Sequence, residues 1–476
     1  MMNNSPAGQS NSQQTSKTAV LLLAAMSSFL APFMASSVNI ALPSIGQDLS
    51  LNAITLSWVA TAYLLAAAAF LVPFGRFADI HGRKMIFRIG IIIDAFSSLM
   101  CALSPSGTWL IVFRVLQGLG GAMIFGTGVA ILSSVVPPKE RGRALGINVA
   151  ATYIGLSVGP LAGGFFTQYF GWQGIFYFNT FLGVVISIIA LWKLKGEWAD
   201  ARGEKFDLPG ALIYIPALVA IMYAFSEFPA VWAIWVIIAG AASLGLFVVW
   251  ELRQKSPLLN LGLFKHNTVF ALSNLAALIN YSATFAVGFL LSLYLQYMKG
   301  FTPLQAGIVL IAQPAMMAIF SPIAGALSDK VEPRIVASLG MTLTTVGITM
   351  LVFVNADAGL WYILFSQLVL GLGFAFFTSP NTNAVMSSVD RKVYGVASGM
   401  LGTMRLTGQA FSMGLALLLF ALYIGPVKIT PSYYPQFMQS MRMAFIIMAS
   451  LCFAGVFASI ARGKTRRASK PGEATH

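Results

Sequence analysis

Charge is what this chain has least of. Only 9% of its 476 residues are Asp, Glu, Lys or Arg, against about a quarter in an ordinary soluble domain. Its two cysteines, Cys101 and Cys452, sit far apart inside apolar stretches, which argues against a disulfide framework or a thiolate metal site. The three histidines, His81, His266 and His476, are scattered. No metal cluster and no Ser/His/Asp arrangement is legible, so an enzymatic reading lacks its usual signatures. Acids are scarcer still than bases, 15 against 29, for a formal charge of +14. In a soluble protein that surplus would point to nucleic acid, where a basic face neutralises phosphates; the placement of the charges argues for lipid instead.

What fills the chain is apolar: 57% of residues are hydrophobic, and 36 are phenylalanine. A membrane-spanning helix needs roughly 20 mostly apolar residues. Fourteen stretches meet that requirement, at 18–42, 54–74, 85–104, 108–135, 143–168, 173–194, 209–227, 230–252, 267–297, 303–326, 335–354, 358–386, 394–424 and 440–462. The first is too long for a usual cleaved signal sequence and is kept as a helix. Counted from a cytoplasmic amino terminus, the inside connections hold Arg76, Arg83, Lys84, Lys139, Arg141, Arg143, the 193–205 bases, Lys330, Arg334, Arg391 and Lys392, whereas the outside ones hold Lys299, Lys428 and Arg442. This asymmetry follows the positive-inside rule. It predicts a multi-pass protein with both termini in the cytoplasm.

Two charged loops interrupt the apolar runs in related ways. GRFADIHGRK runs from Gly75 to Lys84, and GALSDKVEPR from Gly325 to Arg334, so Gly75 and Asp79 correspond to Gly325 and Asp329. The repeat extends further. RGRALGINVAATYIGLSVGP from Arg141 aligns with VYGVASGMLGTMRLTGQAFS from Val393, superposing Gly142 on Gly395, Gly146 on Gly399 and Gly155 on Gly408, with Thr152 opposite Arg405. Helices one to six and nine to fourteen read as parallel repeats, and the seventh and eighth are an insert. The expected organisation is a disordered cytoplasmic tail at 1–17, a six-helix bundle at 18–194, a linker with the inserted helices at 195–266, a second six-helix bundle at 267–462 and a tail at 463–476.

The loop at Gly75–Lys84 resembles the signature loop between helices two and three of the major facilitator superfamily. Further segments are similar to that family's fourteen-helix drug:proton antiporter branch: VNIALP at Val38, RVLQGLGGA at Arg114, FDLPGA at Phe206, YLQYMKGFTPLQAG at Tyr294 and ASGMLGTMR at Ala397. The resemblance covers nearly the whole chain. It implies an all-helical membrane protein with the major facilitator fold, exporting amphipathic organic compounds by proton antiport with alternating access. It implies no cofactor beyond a proton gradient, no nucleic-acid partner, a monomer in contact with lipid, and a bacterial-type inner membrane as the location. A transporter of another solute, such as a lipid, metabolite or siderophore, is the alternative. A membrane enzyme or receptor would need a catalytic cluster or a sizeable soluble domain, and the longest polar loop is only about 193–207.

The resemblance also suggests roles. Gly75, Asp79 and Arg83, with Gly325 and Asp329, would form a conformational latch, Asp79 pairing near the start of helix thirteen; the plainer reading is a solvated loop that fixes topology. Gly155, Gly159, Pro160, Gly163 and Gly164 match the family's helix-five antiporter motif. The glycines at i, i+4 and i+8 equally make an ordinary close-packing face. Arg114 matches an arginine implicated in proton relay, or else braces neighbouring carbonyls; a guanidinium embedded in a membrane suggests function by default.

The chain departs from the branch in three places. Met34 stands where an acid is usual, Gln173 and Gly174 alter the turn after helix five, and Phe181 replaces a later proline. With that acid gone, Asp94, roughly 14 Å into helix three, is the best proton carrier by depth. Glu227 at the outer end of helix seven is the other candidate. A depth difference of around 9 Å argues against a direct Asp94–Arg114 pair. Asn39, Gln117, Asn148, Asn274, Asn280, Gln313, Gln367 and Arg405 are candidates to line a central cavity, although each amide could equally tie helices together.

Overall fold

The computed structural model describes residues 17–137, 140–259, 261–390 and 394–463. The two predicted tails fall almost wholly outside these, as do Lys139, Arg391 and Lys392 of the charged loops; the side chains of Arg141, Arg143 and His266 are also outside.

Fourteen helices are long and apolar enough to cross a membrane. They are α1 Lys17–Asp48, α2 Ala53–His81, α3 Arg83–Ala102, α4 Gly107–Val135, α5 Arg141–Phe170, α6 Gln173–Lys193 and α7 Leu208–Ser226. Then follow α8 Val231–Glu251, α9 Thr268–Leu293, α10 in two pieces at Pro303–Leu310 and Ala312–Lys330, α11 Pro333–Val352, α12 Leu360–Ser387, α13 Tyr394–Tyr423 and α14 Tyr434–Ala461. A backbone in hydrocarbon must satisfy its own polar groups, and helices do so within each segment. The described residues contain no strand.

Local chemistry sets the boundaries. Asn52 accepts from Thr55 N at 2.8 Å to start α2, and Asn267 accepts from Phe270 N at 2.9 Å to start α9. Thr302 and Gln305 form a capping box at α10. Each satisfies amides that the first helical turn leaves without an intrahelical partner. Between α2 and α3 the chain reverses at Gly82, whose φ of 125° only glycine adopts easily. The break in α10 at Ile311 comes three residues before Pro314. That proline has no N–H to offer the Leu310 carbonyl.

The same packing pairs recur in both halves. In the first, α1 packs on α5, α2 on α4, and α3 on α4 and α6; in the second, α9 packs on α13, α10 on α12, and α11 on α12 and α14. The molecule is thus two six-helix repeats with α7 and α8 between them. Helix α7 lies across the line where α2 meets α13: Tyr214, Leu218 and Met222 pack with Leu65, Ala69, Val72 and Phe411, and Tyr214 Oη donates to Ala68 O at 3.3 Å. Helix α8 packs mainly on α7, leaving Val231 and Trp235 72% and 67% exposed, as a lipid-facing helix would.

An even number of crossings puts both ends of the described chain on one face. Three hydrogen bonds join the halves at the opposite, far face. Ser292 Oγ donates to Asn39 O at 2.7 Å, Gln296 Nε2 to Ile40 O at 2.9 Å, and Ala53 N to Val427 O at 2.8 Å.

Candidate functional site

A buried polar network occupies the first half. Its members come from four helices. Asp94 on α3 is 5% exposed and Arg114 on α4 only 1%. Asn179 Nδ2 on α6 donates to Asp94 Oδ2 at 3.0 Å and lies 2.7 Å from Ser98 Oγ. Ser98 Oγ donates to the Asp94 carbonyl at 2.7 Å and accepts from Gln117 Nε2 at 2.8 Å. Gln117 Oε1 takes a hydrogen bond from Arg114 Nη1 at 2.6 Å. Arg114 then reaches α2 in two ways, through Nε to Val59 O at 3.0 Å and with its guanidinium 4.6 Å from the centre of the Tyr63 ring.

Glycines on α4 permit this convergence. A Cβ on Gly120 would lie 2.8 Å from both Asp94 N and Gly90 O, and one on Gly118 would strike Tyr63 O. Alternate glycines of the RVLQGLGGA run therefore admit α3 on one side and α2 on the other. Asp94 and Arg114 form no ion pair with each other; Asn179, Ser98 and Gln117 bridge the gap. The separation in depth expected from sequence has this physical form. Asp94 is the one acid among the described residues that stands well inside a membrane helix, and a carboxyl there can hold or release a single proton.

Tyr63, Ser98 and Asn179 escaped the sequence reading. The available signal for Asn179 was a lone amide in the apolar run of α6; Ser98 and Tyr63 look like ordinary helix residues until packed. Glu227 lies apart, half-buried at the far end of α7, a helix that packs on α2, α8 and α13.

The loop between α2 and α3 is held by its own half. Asp79 Oδ1 accepts from Arg83 Nε at 2.7 Å, and Arg83 also reaches Asp200 at 2.7 Å and Ser134 Oγ at 3.0 Å. The connection after α6 folds over this turn, with Ala201 N donating to Asp79 O at 3.0 Å and Arg83 N to Trp198 O at 2.9 Å. Arg76 pairs with Glu204 at 2.5 Å. Hydrogen bonds from Arg76, the larger effect, and from Ser256 keep this exposed Glu204 carboxyl below its usual range. Thus the described side-chain partner of Asp79 is Arg83, and not α13. In the second half Asn383 Nδ2 donates to Asp329 Oδ1 at 3.1 Å. Of the two loop glycines only Gly325 sits at a close approach, its Cβ falling 2.8 Å from Ser379 Oγ; a Cβ on Gly75 would meet nothing within 4 Å, and the tight residue there is Gly126, whose Cβ would be 3.2 Å from Gly75 Cα.

The glycines of α5 divide between two partners. A Cβ on Gly155 would be 2.5 Å from Phe29 O, one on Gly159 would be 3.0 Å from Phe33 O, and one on Gly163 would be 2.7 Å from Ser37 Cα, all on α1. Gly164 instead meets Pro303 and Leu304 of α10, and Gly307 of α10 abuts the Pro160 carbonyl. This second contact crosses between the halves near the far face.

The polar candidates scatter. Gln117 belongs to the network above, and Asn148 accepts from Ser28 Oγ of α1 at 2.8 Å. Gln367 Nε2 donates to Val309 O at 3.2 Å, and Asn39 is buried with its carbonyl holding Ser292. Asn274 donates to Phe270 O at 2.9 Å within α9. Asn280 is fully buried with neither amide atom partnered among the described residues. Gln313 is half-buried, its carbonyl against Gly371. Arg405 is half-buried on α13, its guanidinium 5.9 Å from the Phe125 ring of α4 in the other half. Among the described residues no group of three or more His, Cys, Asp or Glu side chains is placed to hold a metal.

This arrangement can be set beside known proteins. A family model described as Major Facilitator Superfamily matches residues 24–273 and again 273–475. The chain is 29% identical over 449 residues to a riboflavin transporter, RibZ, of Clostridioides difficile, covering 93% of this chain and 97% of that one. It is 32% identical over 390 residues to the multidrug resistance protein Stp of Mycobacterium tuberculosis, covering 80% and 71%. It is 31% identical over 473 residues to the cephamycin export protein CmcT of Amycolatopsis lactamdurans, covering 96% of each. Among solved structures, a bacterial homologue of the human lysosomal transporter Spinster superposes with a TM-score of 0.67 at 16% identity, over 94% of this chain and 96% of the other. Two matching family segments, one per six-helix repeat, on a fold of fourteen membrane helices make this chain a transporter of the major facilitator superfamily and not an enzyme.

Proposed function

We propose that the protein exports amphipathic organic compounds from the cytoplasm of a bacterial-type cell in exchange for protons, by alternating access. The observation that carries the reading is the set of direct contacts between the two halves at the far face. At the far face α5 and α10 meet through Gly164 and Gly307, and α1 meets the end of α9 through Ser292 and the turn just beyond it through Gln296. Rocking the halves about such a seam would open the far face and close the other. The cargo class is supported by Stp and CmcT, which are similar over most of this chain and are described as a multidrug resistance protein and an export protein.

Proton coupling rests on Asp94. Its carboxyl is linked through Asn179, Ser98 and Gln117 to Arg114, so a change in its charge would be felt by the α2–α4 packing beside the seam. Both termini would lie in the cytoplasm, from the distribution of basic residues. Transport of a single metabolite is the second reading, favoured by the similarity to the riboflavin transporter RibZ across 93% of this chain.

The test is transport into proteoliposomes under an imposed pH gradient, with wild type and Asp94→Asn. Gradient-driven accumulation by wild type, lost in Asp94→Asn while gradient-free exchange persists, is the expected outcome. Full accumulation by Asp94→Asn would remove the coupling role from that residue.

A further inference from the structure

The geometry points to Arg405 as an anion-recognising group at the seam, selecting cargo that carries a negative charge on an apolar body. This deepens the exporter reading above and rests on it. Arg405 stands eleven residues into α13, about 17 Å along the helix at 1.5 Å per residue, and so within the span. It has neither an ion pair nor a hydrogen-bond partner among the described residues, and its Nε is buried. The contrast is with Arg114, whose guanidinium is fully enclosed and held by Val59 O and Gln117. One embedded arginine is used up by its own half, and the other faces across the seam to Phe125.

The helices that meet across the seam hold no acid to neutralise it. Helices α4, α5, α9, α12 and α13 contain no Asp or Glu, while α1, α2 and α10 carry theirs near their ends, at Asp48, Asp79 and Asp329. Asp94 is turned toward α6. An unpaired guanidinium in a low-dielectric setting raises the cost of any cation placed beside it and lowers that of an anion. Next to it the apolar lining is in place. Leu401 and Met404 of α13 pack with Tyr153 of α5 and with Tyr281, Met317 and Phe374 of the second half, the adaptable aromatic and thioether surface that suits varied organic bodies.

The experiment compares two probes in proteoliposomes, the sulfonate 8-anilinonaphthalene-1-sulfonate and the cation ethidium, at equal amounts of reconstituted, monodisperse protein. Wild type is expected to move the sulfonate at least tenfold faster. Arg405→Gln should lower the sulfonate rate at least tenfold and leave ethidium unchanged or faster, Arg405→Lys should keep the wild-type order, and Arg405→Glu should reverse it. Equal loss of both probes in Arg405→Gln assigns the residue a structural role and overturns the inference, as does an unchanged sulfonate rate. Should Arg405→Gln fail to fold, the wild-type preference still decides, because faster ethidium transport overturns it. If wild type moves neither probe, the exporter reading itself falls, and the selectivity inference with it.

Discussion

The side-chain amide of Asn179 reaches Asp94 Oδ2 at 3.0 Å, joining α6 to α3 in the middle of the first half. Both residues are buried, Asn179 completely. An enclosed carboxylate that loses its donor retains its desolvation cost with less in return, so this bond matters beyond its own strength.

Asn179→Leu should therefore destabilise the protein by about 1–3 kcal/mol, the range for leaving a buried polar group unsatisfied. It should also slow gradient-driven transport more than gradient-free exchange. Thermal unfolding in detergent measures the first effect and proteoliposome flux the second. A variant with wild-type stability would show that Asp94 finds another donor or is held without one.

Gly120→Leu is expected to be strongly damaging. Even its Cβ would stand 2.8 Å from Asp94 N and Gly90 O, and backbone atoms cannot step aside as side chains do. Overpacking of this kind costs about 1–3 kcal/mol, and the variant should be recovered from membranes in reduced amount. Gly146→Leu, at a position with nothing within 4 Å of a Cβ, is the matched control and should be recovered normally.

The seam makes a conformational prediction. Gly307→Val places bulk against the Pro160 carbonyl, where the halves touch, and should hold the far face apart without unfolding either half. Accessibility of a cysteine at Ser292 to an impermeant thiol reagent should rise, and transport should fall at least tenfold. Unchanged accessibility would mean that α5 and α10 do not separate during the cycle.

For Asp79→Asn the stability change should be small, about 0–1 kcal/mol as for other partly exposed pairs, since Arg83 keeps Asp200 and Ser134. Transport is nonetheless expected to drop, because a latch acts in the state closed on the terminal face, where Asp79 would exchange Arg83 for the start of α13. Equal turnover at equal membrane levels would leave Asp79 as a loop residue that fixes topology.

Topology can be checked with little engineering. Cys101 and Cys452 are both fully buried, so a cysteine at Lys330 should be the main reactive thiol. An impermeant reagent is expected to label it in disrupted cells and to leave it untouched in intact ones. Labelling from outside intact cells would invert the assignment of the termini.

The fourteen helices were legible because a membrane imposes a simple demand, a run of apolar residues long enough to cross it, and α1 to α14 follow the expected stretches closely. The repeat was legible from recurring glycines such as Gly155 and Gly408, which the structure uses alike for close approach, the first to Phe29 and the second to Leu278 and Tyr281. Facing was not. Gln117 and Arg405 look equivalent in sequence as polar residues amid apolar ones; one is locked into a network inside its half and the other stands at the seam. In a soluble helix the polar face marks the solvent, but in lipid both faces are apolar and periodicity loses that information.

Partners depend on distant segments for the same reason. Asp94 meets Asn179 of α6, and Asp79 with Arg83 is overlaid by the 197–201 stretch, contacts that no local pattern encodes. The sequence by itself determined how many times the chain crosses the membrane, that it does so as two related halves, and which residues are embedded. Only the tertiary structure decided which embedded charge has its needs met within one half and which faces across the seam, because that depends on how helices rotate about their axes when their small residues pack.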